Sequence, residues 1–290
     1  MYLRRLLLSL DDDKIIDYNQ SDYLTMEILS DYSSVSFSTK SNNLLEYSVN
    51  KKNWKTYKDG SSIPNLKTGD IVCFRGDFVN AETFGIGQFS ISGYVNLTGN
   101  CMSILYGDDA KSYDYVPYAC FYALFRYCGG IVNVSENFLP ATKLSYYCYS
   151  RMFDNSGIVT APNLPATVLD EGCYNGMFYY CFNLNSAPKI NATTLAPYCC
   201  DSMFYRCTSL LESPVLYAET TVHYCYQAMF QLCSNLNKIT MLAKTITEEN
   251  DMFGWVSEVS STGTFVKSKD ATWDIIGHKG VPEGWTIEYQ

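Results

Sequence analysis

A block of about 26 residues recurs five times between residues 118 and 233, and no other feature constrains the fold as strongly. Cys148-Tyr149-Ser150-Arg151-Met152-Phe153 is followed by Cys173-Tyr174-Asn175-Gly176-Met177-Phe178. Then come Cys199-Cys200-Asp201-Ser202-Met203-Phe204 and Cys225-Tyr226-Gln227-Ala228-Met229-Phe230. A looser first copy reads Cys120-Phe121-Tyr122-Ala123-Leu124-Phe125. The leading cysteines are 28, 25, 26 and 26 residues apart. A fixed period in the twenties belongs to a solenoid, where units too small to bury a core alone stack on their own copies.

Each copy has two halves. With the leading Cys numbered position 0, apolar residues fall at positions 0, 1, 4, 5 and 8, as in Cys173, Tyr174, Met177, Phe178 and Cys181. On a helix these form two adjacent lines and one buried stripe, so the spacing predicts about three helical turns. A Leu or Ile at position 10 or 11 then opens a proline-containing stretch, such as Leu184-Asn185-Ser186-Ala187-Pro188-Lys189-Ile190. Proline removes a ladder donor, so this half is expected to be a brief strand.

These repeats resemble the BspA-like leucine-rich repeats of Bacteroides-type gut bacteria and of the crAss-like and other phages that infect them. The likeness covers residues 148–169, 173–195 and 199–222, and includes Leu139-Pro140-Ala141-Thr142 and Leu164-Pro165-Ala166-Thr167. Ser156 stands where a second Cys is expected, and Thr240 where a Pro is. The resemblance extends to Leu45-Glu46-Tyr47-Ser48-Val49 and 69–76, which look like the β domain that often precedes such repeats. It also reaches Gly263-Thr264-Phe265, Trp273 and 280–285, which look like the usual closing segment. The fold class expected is therefore α+β: a small antiparallel, β-sandwich-like domain followed by a leucine-rich-repeat-like α/β solenoid with a C-terminal cap. Its boundaries are an arm at 1–19, the β domain at 20–112, the solenoid at 113–254 and the cap at 255–290.

Bulk properties narrow the partners. The net charge of −9 argues against nucleic acid, whose phosphates select a basic face, and against an anionic membrane surface. No stretch reaches membrane-spanning length, so no membrane insertion is expected. Nine of the twelve cysteines occupy positions 0 and 8. Eight residues of helix separate such a pair by about 12 Å, too far for a disulfide. They are expected to be free, buried thiols, with Cys200 alone partly exposed.

The first residues place Arg4 and Arg5 with Leu6, Leu7 and Leu8 ahead of Asp11, Asp12 and Asp13. The apolar run is shorter than a signal-peptide core, so it is expected to be an arm that anchors the protein to an assembly. A frayed end without a role is the competing reading.

Chemistry is thinly represented. The two histidines, His223 and His278, lie far apart in sequence, and there is no Cys-x-x-Cys and no phosphate-binding glycine loop. No catalytic residue, metal or cofactor is expected. Binding is better supported. Asn133, Thr160, Ser186, Glu212 and Lys238 hold equivalent outward positions beside the inward strand residues and vary while the core letters hold. That suits a recognition ladder, and it equally suits a strand face that is polar because it is wet. Tyr147, Tyr198 and Tyr224 share position −1 and form either an aromatic contact row or props between coils. The resemblance implies a virion-associated adhesin or decoration protein, on capsid or tail, with a bacterial cell-surface or secreted adhesin as the alternative. Its partners would be virion proteins, met through the arm or β domain, and a host surface protein or glycan, met through the solenoid. A homo-oligomer is compatible with this reading.

Overall fold

The computed structural model describes residues 22–40, 42–79, 84–248 and 250–290. The arm with Arg4, Arg5, Leu6, Leu7 and Leu8 lies outside them.

The N-terminal part builds β1 (Leu24–Ile28), β2 (Ser33–Thr39), β3 (Leu45–Val49), β4 (Lys55–Thr56), β5 (Ser62–Leu66), β6 (Ile71–Gly76), β7 (Gly87–Ser92) and β8 (Val95–Gly99). Strand β2 shows why: Val35 and Phe37 are buried while Ser34 and Ser36 are only partly so, the period of two that a half-buried strand requires. Two antiparallel sheets result. One has the order β8-β1-β6-β3-β4 and the other β5-β2-β7. Phe37, Phe74 and Phe89 pack between them, with ring centroids 4.8 to 5.0 Å apart. A single helical turn, α1 (Ser103–Tyr106), and a 3-10 segment at Gly107–Ser112 lead into the repeats.

The repeats coil into a β-solenoid of about seven turns. The expected helices are absent, and so is the α/β unit of a leucine-rich repeat; the fold is mostly β, not α+β. Positions 0 to 8 instead form a ribbon of tight turns. In the second copy the N–H groups of Cys148, Ser150, Met152, Asp154 and Ser156 each donate to the carbonyl three residues back, at 3.0 to 3.2 Å. The alternate N–H groups, of Tyr147, Tyr149, Arg151, Phe153 and Asn155, donate to Glu171, Cys173, Asn175, Met177 and Tyr179 of the next coil. A helix keeps its hydrogen bonds to itself, whereas this ribbon directs half of them to its neighbour.

The geometry demands a left-handed residue every fourth position. Tyr147, Arg151 and Asn155 have φ of 54°, 54° and 55°, and Gly172, Gly176 and Tyr180 repeat the series one coil on. For a residue with a Cβ this costs about 1–2 kcal/mol. The cross-coil hydrogen bonds and the stacked core must offset it. The apolar spacing could not reveal the difference, because 0, 1, 4, 5 and 8 fit a period of four as well as one of 3.6. Gly172 and Gly176, four residues apart in one copy, and Gly254 at the position equivalent to Gly176 were the signal in the chain.

Equivalent residues stack in columns. Phe125, Phe153, Phe178, Phe204 and Phe230 stand 5.5 to 5.7 Å apart with nearly parallel rings. The column starts inside the β domain, where Phe89 stacks on Phe125 at 5.2 Å, and ends on Trp255. Backbone bonds agree with this. Ile86 and Phe89 donate to Cys120 and Leu124 as one coil donates to the next. The β7–β8 edge of the β domain therefore serves as the zeroth coil of the solenoid, and one continuous core joins the two.

All twelve cysteines are buried and free, Cys200 included; its expected exposure is not found. The ribbon aims positions 0 and 1 both inward, which buries that side chain. The position-8 thiols have a defined task. Cys181, Cys207 and Cys233 donate to the carbonyls of Phe153, Phe178 and Phe204 in the preceding coil at 2.9 to 3.1 Å. Cys128 does the same to Phe89.

The opposite wall of each coil is the strand side. Here β10 (Ile131–Val134) pairs in parallel with β8 and extends the larger sheet to six strands. Two-residue strands, β9 (Tyr115–Val116) and β11 (Lys143–Leu144), pair beside it. The middle coils make only isolated bridges, Asn133 to Thr160, Thr160 to Ser186, Leu164 to Ile190 and Val168 to Thr194, where Pro162, Pro165 and Pro188 interrupt the ladder. A continuous parallel sheet resumes with β12 (Glu212–Leu216), β13 (Lys238–Met241), β14 (Thr264–Lys267) and β15 (Thr286–Tyr289). Residues 255–290 thus continue the ladder as well as closing it. Trp255, Trp273 and Trp285 are buried there, and each indole N–H donates to a backbone carbonyl of another coil or of the closing segment.

Candidate functional site

The strand wall is polar in register. Asn133, Thr160 and Ser186 align as bridge partners, and Glu212 pairs with Lys238 in the sheet that follows. Asn96 of β8 joins the row from the β domain. Asn133 Nδ2 donates to Asn96 Oδ1 at 3.1 Å, and Thr160 Oγ1 donates to Asn133 Oδ1 at 3.0 Å. This chain of bonds fixes the side chains before any ligand arrives.

A second polar column runs beside the first. Glu136, Asn163 and Lys189 each stand three residues after a ladder member. Their backbones are tied from coil to coil: Asn163 N–H donates to the Glu136 carbonyl, and Lys189 N–H to Asn163 Oδ1 at 3.4 Å. Between the columns lies an open trough of about 590 Å³. Small Ala161 and Ala187 form part of its floor. The same offset from Glu212 and Lys238 reaches Val215 and Met241, so the polar floor ends after three coils.

The structure thus divides the residues singled out in the sequence. Asn133, Thr160 and Ser186 line the trough. Glu212 and Lys238 lie beyond it and form an exposed ion pair at 3.2 Å. Tyr147, Tyr198 and Tyr224 are on the turn wall and do not line it. Tyr198 stacks on Tyr224 at 5.2 Å, and Tyr147 lies over Gly172, whose added Cβ would come within 2.5 Å of its ring. Burial pushes the Tyr147 phenol upward, as expected for a prop between coils. Sequence reasoning missed Glu136, Asn163 and Lys189, although their 26- to 27-residue spacing was there to be read. Asn96 carried no such signal, because its place depends on β8 acting as a rung.

The trough offers amide, hydroxyl, carboxylate and ammonium groups, which suit hydrogen bonding to a neutral polar ligand. Both histidines lie elsewhere. His223 Nδ1 is 2.8 Å from Glu248, and His278 packs edge-on against Phe253. Among the described residues no group of His, Cys, Asp and Glu is placed to hold a metal ion, and no helix is long and apolar enough to cross a membrane. A second cleft, of about 390 Å³, opens in the β domain, where several of its polar groups are already engaged. Tyr57 Oη accepts from Phe37 N–H at 2.8 Å, and Asp59 accepts from Thr39 N–H at 3.0 Å.

No protein family, curated protein or solved structure that was compared matches this chain.

Proposed function

We propose that this is a non-enzymatic binding protein whose solenoid presents the polar trough to a glycan. The observation that supports it is the pair of in-register columns, Asn96-Asn133-Thr160-Ser186 and Glu136-Asn163-Lys189, over a floor of small residues. Hydroxyl-rich ligands need dense, fixed donors and acceptors, and their affinity depends on groups ordered in advance. The wider setting rests on the likeness to BspA-like repeats: a phage virion, on capsid or tail, where the protein serves as adhesin or decoration. A bacterial cell-surface or secreted adhesin is the other setting.

A glycan array probed with the wild-type protein and with Asn133→Ala/Thr160→Ala tests the site. Binding by the wild type, lost in the double variant with unchanged thermal unfolding, is the expected result. No glycan bound, or equal binding by both proteins, overturns it. Mass spectrometry of purified particles and of outer-membrane fractions separates the two settings.

A further inference from the structure

All three arginines of the repeat region, Arg126, Arg151 and Arg206, lie on the turn wall, away from the trough. They belong to one continuous seam. Arg126 stacks over the ring of Tyr127 at 4.5 Å. Arg126 Nε and Arg151 Nη1 both reach Asp154 Oδ2, at 2.9 and 3.0 Å. Arg151 then lies over Tyr179 at 5.0 Å. Tyr179 stacks on Tyr205 at 4.7 Å and touches Tyr180. Arg206 covers Tyr180 at 5.2 Å and Phe182 at 5.9 Å. The seam crosses four successive coils, about 14 Å at the usual strand spacing.

Its charge is unbalanced. Asp154 is its one ion-paired carboxylate, and it is buried while both arginine partners keep 31% of their side chains exposed. The nearby Asp201 is already bonded to Ser202 Oγ and Asn175 Nδ2 at 2.7 and 3.1 Å. Three cations against two carboxylates leave an excess of positive charge on a chain whose net charge is −9. Arg75, in the β domain, makes the contrast: one guanidinium takes both Glu46 and Asp108. Arg126 Nε is buried and makes only a charge contact, without a hydrogen bond.

We propose that this arginine–tyrosine seam docks an acidic peptide segment of a partner protein. Guanidinium planes laid on aromatic rings are ordered in advance, and their remaining N–H groups match carboxylates in a bidentate fork. Tyrosine and arginine are the residues that dominate protein interfaces energetically, and the exposed rings of Tyr127 and Phe182 flank the charged centre. Gly176 makes the arrangement fit, since Arg151 Cγ lies 3.3 Å from where its Cβ would be.

The test uses the full chain and a fluorescein-labelled peptide of alternating Glu, Asp and Tyr, followed by anisotropy at low and moderate salt. The chain as a whole repels such a probe, so binding must arise from a local basic surface. Saturable binding, weakened at least tenfold in Arg206→Gln and further in Arg151→Gln/Arg206→Gln, is expected. Arg206 makes no ion pair within the seam, so its single variant reports on binding even where the double variant unfolds early. Asn133→Ala/Thr160→Ala should bind the peptide as the wild type does. No peptide binding, equal binding by Arg206→Gln, or binding of a sulfated hexasaccharide in place of the peptide overturns the proposal.

Discussion

The two walls of each coil are built on opposite rules. The turn wall repeats its backbone bonds, its left-handed residues and its Phe, Met and Cys columns from copy to copy. The strand wall runs from single bridges at Thr160 and Ser186 to a four-stranded sheet at β12 to β15, and its outward residues change in every copy. The turn wall therefore supplies the same cross-coil bonds at every middle step, whereas those of the strand wall differ from step to step. That leaves the strand wall free to vary, and the trough lies where its pairing is reduced to isolated bridges.

Alkaline pH should break the turn wall first. Nine of the twelve thiols stand at positions 0 and 8 of that wall. Burial pushes Cys120, Cys128, Cys181 and Cys233 up to about 12, against 9 in an unfolded chain. A thiol raised on folding stabilises the fold fully below pH 9. Between pH 9 and 12 the unfolded chain ionises and the folded one does not, so stability falls as pH rises. Each such thiol removes about 1.4 kcal/mol per pH unit, on the order of 5 kcal/mol for the four by pH 10. Urea midpoints measured from pH 7 to 10.5 check this; a profile flat through pH 10 would contradict it.

Truncating the central column comes next. Phe178 is wholly buried and stacks on Phe153 and Phe204. Phe178→Ala should lower stability by roughly 3–5 kcal/mol in chemical denaturation. A loss within about 0.5 kcal/mol, the range of surface sites, would remove Phe178 from the core. Gly172→Val follows. It forces a β-branched residue to φ near 61° and drives its Cβ into the Tyr147 ring. About 2–3 kcal/mol should be lost. If Gly172→Val were as stable as the wild type, the left-handed backbone at this position would be wrong.

How much of this was readable from the chain depends on which physical signal was used. Apolar positions 0, 1, 4, 5 and 8 located the inward side chains correctly, because burial depends on spacing alone; Met177 and Phe178 are fully buried as expected. The backbone carrying them was misread as helix, since a nine-residue window cannot separate a period of four from 3.6. The ladder of Asn133, Thr160, Ser186, Glu212 and Lys238 was readable because strand register follows the repeat length. The fusion of the two domains was not. Phe89 becomes a rung through β7, and nothing in a segment of alternating serines marks its phenylalanine as a member of the repeat column.

The smallest effect is the one that sharpens the contrast most. Ser186 is exposed, and none of the hydrogen bonds that tie Asn96, Asn133 and Thr160 together reaches its hydroxyl. Lys238 and Glu212 are exposed partners in an ion pair, a kind of contact that contributes about 0–1 kcal/mol. Ser186→Ala and Lys238→Ala should each shift stability by no more than about 0.5 kcal/mol and leave the thermal transition a single step. The two differ in consequence. Ser186 lies in the trough and Lys238 does not, so only Ser186→Ala should weaken glycan binding. Were Lys238→Ala to weaken it equally, the trough would have to extend past β12. Were Ser186→Ala to cost as much stability as Gly172→Val, the strand wall would hold the coils together as firmly as the turn wall does, and the division of labour between them would fail.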